Sequence, residues 1–275
     1  MNLKFTKMHG LGNDFMVIDA INQSPELSAS IIQRWSDRRF GIGFDQLLLI
    51  EKPTISEAEF LYRIYNADGG EVEQCGNGAR CFARFVVEKG LTTSDVIPVE
   101  TNSGLIKLKL IDDLVEVDMG VPDFNPDALP FVAARQTDQY VIEVDGQSVE
   151  FGAVSMGNPH AVIRVDDIDK ASVASLGPIL ESHQRFPKRV NVGFMQCLDR
   201  QNIRLRVYER GAGETLACGT GACAAVVSGI QRGWLDNEVE VSLKGGKLMI
   251  RWQGGNSSVF MTGAATTVYE GQIEQ

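Results

Sequence analysis

An α+β fold of two pseudo-symmetric units, each a mostly antiparallel β-sheet or barrel wrapped around one central α-helix, is what the sequence predicts. The prediction rests on an internal repeat with a spacing of 143 residues, on short segments of period-two alternation that outnumber helical runs, and on a Cys-Gly-x-Gly-Ala turn opening an apolar run in each half.

Arg63-Ile64-Tyr65 stands twelve residues before Cys75, and Arg206-Val207-Tyr208 stands twelve before Cys218. The same spacing pairs Gly70 with Gly213, Glu71 with Glu214, Gly76 with Gly219, Gly78 with Gly221, Ala79 with Ala222 and Gly90 with Gly233. A weaker echo at 145 sets Gly12-Asn13 against Gly157-Asn158, so the units start near residues 1 and 150. Strands are predicted at Gln46–Ile50, Phe60–Tyr65, Gly104–Leu110, Val115–Met119, Gln139–Val144, Ile203–Tyr208, Val239–Leu243, Leu248–Trp252 and Ser257–Met261. One central helix per unit is predicted, at Ala79–Lys89 and Ala222–Arg232, each stopped by a glycine suited to a left-handed C-cap. The Pro-containing stretch Gly120–Pro126 reads as the linker.

Composition narrows the function. The 26 basic and 36 acidic side chains give a net charge of −10, and no Lys/Arg run offsets it, which opposes binding to nucleic acid or an anionic membrane. No apolar run approaches the roughly 18 residues of a membrane helix, and the N-terminal residues lack a signal-peptide core. The expectation is a cytoplasmic protein with a small ligand. Five cysteines, an odd number without an export signal, are expected as free thiols.

Cys75 and Cys218 each stand at the mouth of a central helix, followed by glycine. Unpaired backbone N–H groups and the helix dipole favour negative charge there, so each thiol is expected to be acidic and able to serve as base or nucleophile. The same N–H groups can hold a carboxylate, and the flanking glycines let backbone approach a ligand closely. A zinc site is the competing reading, but Cys75/Cys81 and Cys218/Cys223 are spaced six and five apart, which turns the second thiol off the face of the first. Cys81, Cys223 and Cys197 then read as buried hydrophobes. Neither Cys-x-x-Cys nor a phosphate-binding glycine motif is present. Two duplicated helix-mouth thiols suit inversion of a stereocentre, with a base on one face of the carbon and an acid on the other. Two helix N-termini would steady the enolate-like carboxylate, with no metal or pyridoxal required.

The motifs Met8-His9-Gly10-Leu11-Gly12-Asn13-Asp14-Phe15, Gly41-Ile42-Gly43-Phe44-Asp45-Gln46, Asn66-Ala67-Asp68-Gly69, Cys75-Gly76-Asn77-Gly78-Ala79-Arg80-Cys81, Met156-Gly157-Asn158-Pro159-His160 and Glu209-Arg210-Gly211-Ala212-Gly213-Glu214-Thr215, continued through Ala217-Cys218-Gly219-Thr220-Gly221-Ala222, occur in this order. In them the chain resembles, along its whole length, the diaminopimelate epimerases, cofactor-independent enzymes that interconvert LL- and meso-diaminopimelate for lysine and peptidoglycan synthesis. The resemblance implies the diaminopimelate epimerase-like fold, with one domain of residues 1–119 plus 264–275, a second of 120–263, and the active site in the cleft between them. It implies Cys75 and Cys218 as the acid/base pair and Asn13, Gln46, Asn66, Asn158, Asn191, Glu209 and Arg210 as the lining of the substrate cleft. Gly76, Asn77, Gly219 and Thr220 would donate to the reacting carboxylate. His160 and Glu209 would tune the thiols, and Tyr269 would contact the second subunit of a homodimer. Cofactors and metal are expected to be none. Glu71 and Glu214 are assigned to loop structure, and Arg63 and Arg206 to solvated strand faces. A proline-type racemase of the same fold is the alternative enzyme. A non-catalytic zinc-binding or oxidant-sensing thiol protein is the alternative of another class.

Overall fold

What the sequence repeats is a strand order, and the helices follow from it. A computed structural model describes residues 2–72, 75–102, 104–144 and 146–274. The chain forms two compact units, Met1–Asp118 with Thr262–Gln275, and Met119–Met261.

The first unit holds β1 (Asn2–Gly10), β2 (Asn13–Asp19), α1 (Ala29–Ser36), β3 (Gln46–Glu51), β4 (Phe60–Asn66), β5 (Glu71–Val72), α2 (Gly76–Glu88), β6 (Val96–Thr101), β7 (Gly104–Ile111) and β8 (Leu114–Asp118). The second holds β9 (Tyr140–Val144), β10 (Gln147–Ser155), β11 (Pro159–Arg164), α3 (Val173–Glu181), β12 (Asn191–Cys197), β13 (Asn202–Glu209), β14 (Gly213–Glu214), α4 (Gly219–Gln231), β15 (Glu238–Leu243) and β16 (Gly246–Arg251). The chain then leaves it along β17 (Phe260–Ala264) and returns to the first unit as β18 (Thr266–Glu274), antiparallel to β1 with Asn2 opposite Glu274.

Among the described residues most pairings are antiparallel, but each unit has two parallel ones at matching places. β2 runs parallel to β3 and β4 to β6; in the second unit β11 runs parallel to β12 and β13 to β15. A parallel pair needs a long crossover, and a helix is the usual way to build it. α1, α2, α3 and α4 fill those four crossovers. The sequence predicted only one helix per unit; α1 and α3 are additions. Their signals are weak: α1 buries only Ile32 and Trp35 and starts at a Ser28 cap whose Oγ accepts the Ile31 N–H, while α3 contains Pro178, a residue more often found at helix boundaries.

The central helices both start three residues before the predicted position, with Cys75 and Cys218 as their N-caps. Gly90 and Gly233 follow them at φ 65° and 71°, the left-handed conformation a helix stop requires. α2 packs on β1, β2, β3, β7, β8 and β18, and α4 on β10, β11, β12, β13 and β16, so each sheet curls around its helix. The opposite face of each sheet is covered as well. Leu47 and Leu49 of β3 cluster with Met16, Ile18, Ile32 and Trp35 beneath α1, whereas Leu48 faces Gly78 of α2. In the second unit Val192 and Phe194 pack with Val173 and Leu180 of α3. Burial of each such side chain contributes about 1.5–3 kcal/mol, which within each unit holds the strand ends and the helix mouth in place.

Two other predictions shift. The strand expected at Ser257–Met261 begins at Phe260, because Gly254 and Gly255 adopt φ 87° and 57° and Trp252 Nε1 donates to Ser257 O at 3.0 Å, holding a loop there. Gly120–Pro126 is no free linker. Asp123 bridges Ser155 through backbone bonds of 3.0 and 2.7 Å, and Asn125 caps a short 3-10 turn at Pro126–Ala128.

Candidate active site

Adjacent strands deliver polar side chains to one end of each sheet. In the first unit Asn13 opens β2, Gln46 opens β3 and Asn66 closes β4, with Phe15 beside Gln46 and Gln46 opposite Asn66. In the second, Asn158 precedes β11, Asn191 opens β12 and Glu209 closes β13, with His160 beside Asn191. The crossover helix that follows the third strand then brings its N-cap cysteine.

In the first unit Cys75 caps α2 by accepting the Gly78 N–H at 3.4 Å, and its Sγ lies 3.7 Å from Asn13 Oδ1. Asn77 Nδ2 donates to the same oxygen at 3.4 Å, and buried Arg80 orients Asn77 through a 2.9 Å bond to its Oδ1. Asn13 is fixed from behind, its Nδ2 donating to Asp45 Oδ2 at 3.0 Å. Arg38 bridges Asp45 and Asp14 at 2.7 and 2.8 Å, and Lys7 joins Asp14 at 2.5 Å. Burial alone would raise the Asp14 carboxyl, but the bonds from Arg38 and Lys7 hold it well below the usual carboxylate range. Gln46 Nε2 donates to Asn66 Oδ1 at 2.9 Å, leaving Gln46 Oε1 a buried acceptor with no partner among the described residues.

In the second unit Cys218 is 4% exposed and its Sγ donates to Glu209 Oε2 at 3.1 Å. Thr215 Oγ1 holds the other oxygen of that carboxylate at 2.5 Å. Thr220 Oγ1 lies 3.6 Å from the sulfur, Asn158 Nδ2 donates to Thr220 at 3.3 Å, and His160 Nε2 contacts Asn158 Oδ1 at 2.9 Å. Among the described residues His160 is linked to the thiol through Asn158 and Thr220. Burial, then the nearby Arg210 charge, pulls its pKa down to about 3, so the imidazole is neutral and the bond network assigns the proton to Nε2.

The expectation of an acidic thiol fails at Cys218. Burial pushes it well above the ordinary thiol range, and the Glu209 carboxylate adds to the rise; Thr220 and the Gly221 N–H oppose it and lose. The helix mouth is real, but a neighbouring negative charge in a dry site outweighs it.

The remaining expected residues are placed as follows. Gly76 and Gly219 are the buried first residues of α2 and α4. Asn191 is 3% exposed and its amide serves backbone, donating to Pro159 O at 3.0 Å and accepting the Arg210 N–H at 2.9 Å. The Arg210 guanidinium donates to Lys188 O at 3.3 Å. Tyr269 lies on β18 with its ring edge against Phe5, 6.0 Å between centroids. Cys81 and Cys223 are buried in the helices, and burial raises Cys81 and half-buried Cys197. Among the described residues, no three His, Cys, Asp or Glu side chains are disposed to hold a metal ion. Arg63 and Arg206 lie on the partly exposed faces of β4 and β13, where they grip Glu71 and Glu214. Sequence reasoning assigned no role to Asp45 or Thr215. Each is the direct chain neighbour of a residue it singled out, Gln46 and Glu214, and that adjacency was the available signal.

The family model for diaminopimelate epimerase matches residues 5–125 and 152–268. The chain is 61% identical to a diaminopimelate epimerase of Nitrosomonas europaea over the full length of both, and 59% identical to one of Pseudomonas savastanoi over 99% of both. It belongs to the diaminopimelate epimerase family. Solved structures outside that family share the fold at low identity. A hydroxyproline epimerase from Agrobacterium vitis superimposes with a TM-score of 0.70 at 19% identity, covering 99% of this chain and 92% of that one. A PhzF-family phenazine biosynthesis protein of Bacillus anthracis does so with 0.70 at 15%, covering both chains in full. Within the family framework the position that is Asn66 in the first repeat is Glu209 in the second, 143 residues on, so the two cysteines have unlike neighbours.

Proposed function

We propose that the protein epimerises LL-2,6-diaminopimelate to meso-diaminopimelate by a cofactor-independent two-base reaction, supplying lysine and peptidoglycan precursors in the cytoplasm. The observation that carries this reading is the pair of N-cap cysteines at equivalent places in the repeat, one flanked by amides and the other held on a carboxylate. On this reading the active site is the cleft between residues 1–119 plus 264–275 and residues 120–263. One sulfur, as thiolate, takes the α-hydrogen; the electron pair left on carbon delocalises into the carboxylate; the other thiol delivers its proton to the opposite face. The product leaves with the two protonation states exchanged. Burial and the Glu209 carboxylate favour the thiol form of Cys218, which suits it to deliver the proton in the direction in which Cys75 is the base.

The N–H groups of Gly76 and Gly219, with Asn77 and Thr220, would hold the reacting carboxylate, which gains negative charge in the transition state. Asn13, Gln46, Asn66, Asn158, Glu209 and Arg210 would bind the distal ammonium and carboxylate, with Asn191 holding the Arg210 backbone from behind. The unpartnered Gln46 Oε1 is an acceptor suited to an ammonium, and Arg210 offers a fork to a carboxylate. Glu209 would tune Cys218 directly, and His160 through Asn158 and Thr220. Among the described residues no helix is long and apolar enough to cross a membrane. The acidic balance disfavours nucleic acid, and Tyr269, 44% exposed on β18, would contact a second copy, which sedimentation of Tyr269→Ala would test.

LL-diaminopimelate incubated in heavy water with purified protein should acquire deuterium at one α-carbon and yield the meso form without added pyridoxal or metal. Cys75→Ser and Cys218→Ser should each abolish this. Full activity in either variant, or turnover of proline in place of diaminopimelate, would overturn the reading.

A further inference from the structure

The repeat carries a second chemistry-bearing pair that the proposed reaction does not use. Arg63 and Glu71 stand 143 residues before Arg206 and Glu214. Arg63 Nε and Nη2 donate to Glu71 Oε1 and Oε2 at 2.7 and 2.8 Å, and Arg206 Nε and Nη2 donate to Glu214 Oε1 and Oε2 at 2.6 and 2.9 Å. Both are two-pronged forks, which fix the orientation of both partners as well as their distance. In each unit the arginine sits on a long strand, β4 or β13, and the glutamate on the strand paired with it, β5 or β14, four residues before the N-cap cysteine. A third side chain from the turn of the following hairpin reaches the same oxygen: Asn102 Nδ2 to Glu71 Oε1 at 3.0 Å, and Lys244 Nζ to Glu214 Oε1 at 2.7 Å.

β14, two residues long, is too short to hold its own place in a sheet. The fork and the hairpin-turn contact supply what the ladder lacks. In the second unit the fastening continues directly to the thiol. Thr215, next to Glu214, donates its backbone N–H to Val207 O at 3.3 Å and its hydroxyl to Glu209, the acceptor of Cys218. The neighbours of the two locks differ, Asn102 in one and Lys244 in the other, yet the fork is kept in both. What the two places have in common is the delivery of a cysteine to a helix mouth.

We infer that Arg63–Glu71 and Arg206–Glu214 are positioning pairs, each fastening the segment that delivers one cysteine and so setting the approach of that sulfur alone. This rests on the two-thiol reading above. A misplacement of about 1 Å at a reacting group can lower a rate by about 100-fold, so the fork matters to turnover far more than to substrate affinity.

The test uses the full chain with Glu71→Gln and Glu214→Gln, which keep the shape but break one prong of the fork. Iodoacetamide labelling of each cysteine, followed by peptide mass spectrometry across pH, is read without substrate and so is independent of whether diaminopimelate is turned over. Glu71→Gln should change the labelling rate of Cys75 about 10-fold and leave Cys218 within about 2-fold, with the converse for Glu214→Gln; kcat on diaminopimelate should fall about 10- to 100-fold with KM within about 3-fold. Labelling of both cysteines changed together, neither changed, or kcat preserved would overturn the inference. Where a glutamine variant does not fold, Asn102→Ala and Lys244→Ala take its place. Each should alter the cysteine of its own unit only, and no change at that cysteine overturns the inference equally. If the wild-type chain does not epimerise diaminopimelate yet labelling remains selective, the reaction reading fails and the positioning pairs stand.

Discussion

Cys218 donates to Glu209 Oε2 at 3.1 Å, whereas Asn66, the residue at Glu209's place in the other repeat, accepts an amide N–H from Gln46 at 2.9 Å. A duplicated scaffold therefore puts a carboxylate beside one thiol and amides at the matching place in the other unit. A two-base inversion needs one sulfur protonated and one not. Burial favours the protonated form of Cys218, and this difference between the repeats adds to it.

Glu209→Gln keeps an acceptor at that place and removes its charge. A carboxylate beside a thiol disfavours the thiolate, so its removal lowers the Cys218 pKa and enlarges the thiolate fraction at any given pH. Burial continues to hold the thiol up, so the fall is partial. Cys218 labelling by iodoacetamide at pH 8 should rise about 10-fold, the equivalent of about one pKa unit, while epimerisation falls. Unchanged or slower labelling would show that burial alone sets the state of this thiol.

His160 is 1% exposed, with its pKa lowered to about 3, against about 6.5 in an unfolded chain. Between those values the unfolded state binds the extra proton, so stability is complete above about pH 6.5 and is lost as pH falls toward 3. The ceiling on this acid lability is about 5 kcal/mol, and relaxation of the site makes the real loss smaller. Urea midpoints of wild type should drop steeply from pH 6.5 to 4, and His160→Gln should flatten that slope although it unfolds more readily at pH 8. Parallel slopes in the two proteins would place the proton uptake elsewhere.

The chain's own text revealed the duplication, the central helices and the twin cysteines because each leaves a local mark: Gly90 and Gly233 after the helices, Gly76 and Gly219 after the thiols. α1 and α3 left almost none, since they exist to close parallel crossovers and bury few side chains on one face. The Cys218 thiol was misjudged for a related reason. Its helix mouth is visible in sequence, but Glu209 lies nine residues earlier and reaches the sulfur only because the β13–β14 turn folds the chain back. The pairing of Arg63 and Arg206 with Glu71 and Glu214 was not visible because the partners stand eight residues away, across the same kind of turn.

Gly78 tests how tightly the first turn of α2 is seated. A Cβ added there would lie 2.3 Å from the hydroxyl oxygen of Tyr62, closer than real contacts allow, and Tyr62 is 2% exposed with no hydrogen-bond partner for that hydroxyl among the described residues. Neither group has room to yield, so Gly78→Ala should cost about 1–3 kcal/mol of stability. Tyr62→Phe removes an unsatisfied buried polar atom and should be neutral or stabilising by itself. In the double variant the phenyl ring leaves space for the new methyl, and most of the loss should return as a favourable coupling of about 1–2 kcal/mol in a urea-unfolding cycle. Gly221 offers the internal comparison: its added Cβ would meet Val207 Cγ2 at 3.0 Å, and the residue at Tyr62's place in that repeat is Leu205. Gly221→Ala should show no coupling to Tyr62→Phe. Strict additivity of Gly78→Ala and Tyr62→Phe would mean that the helix mouth, and Cys75 with it, is not held against this strand.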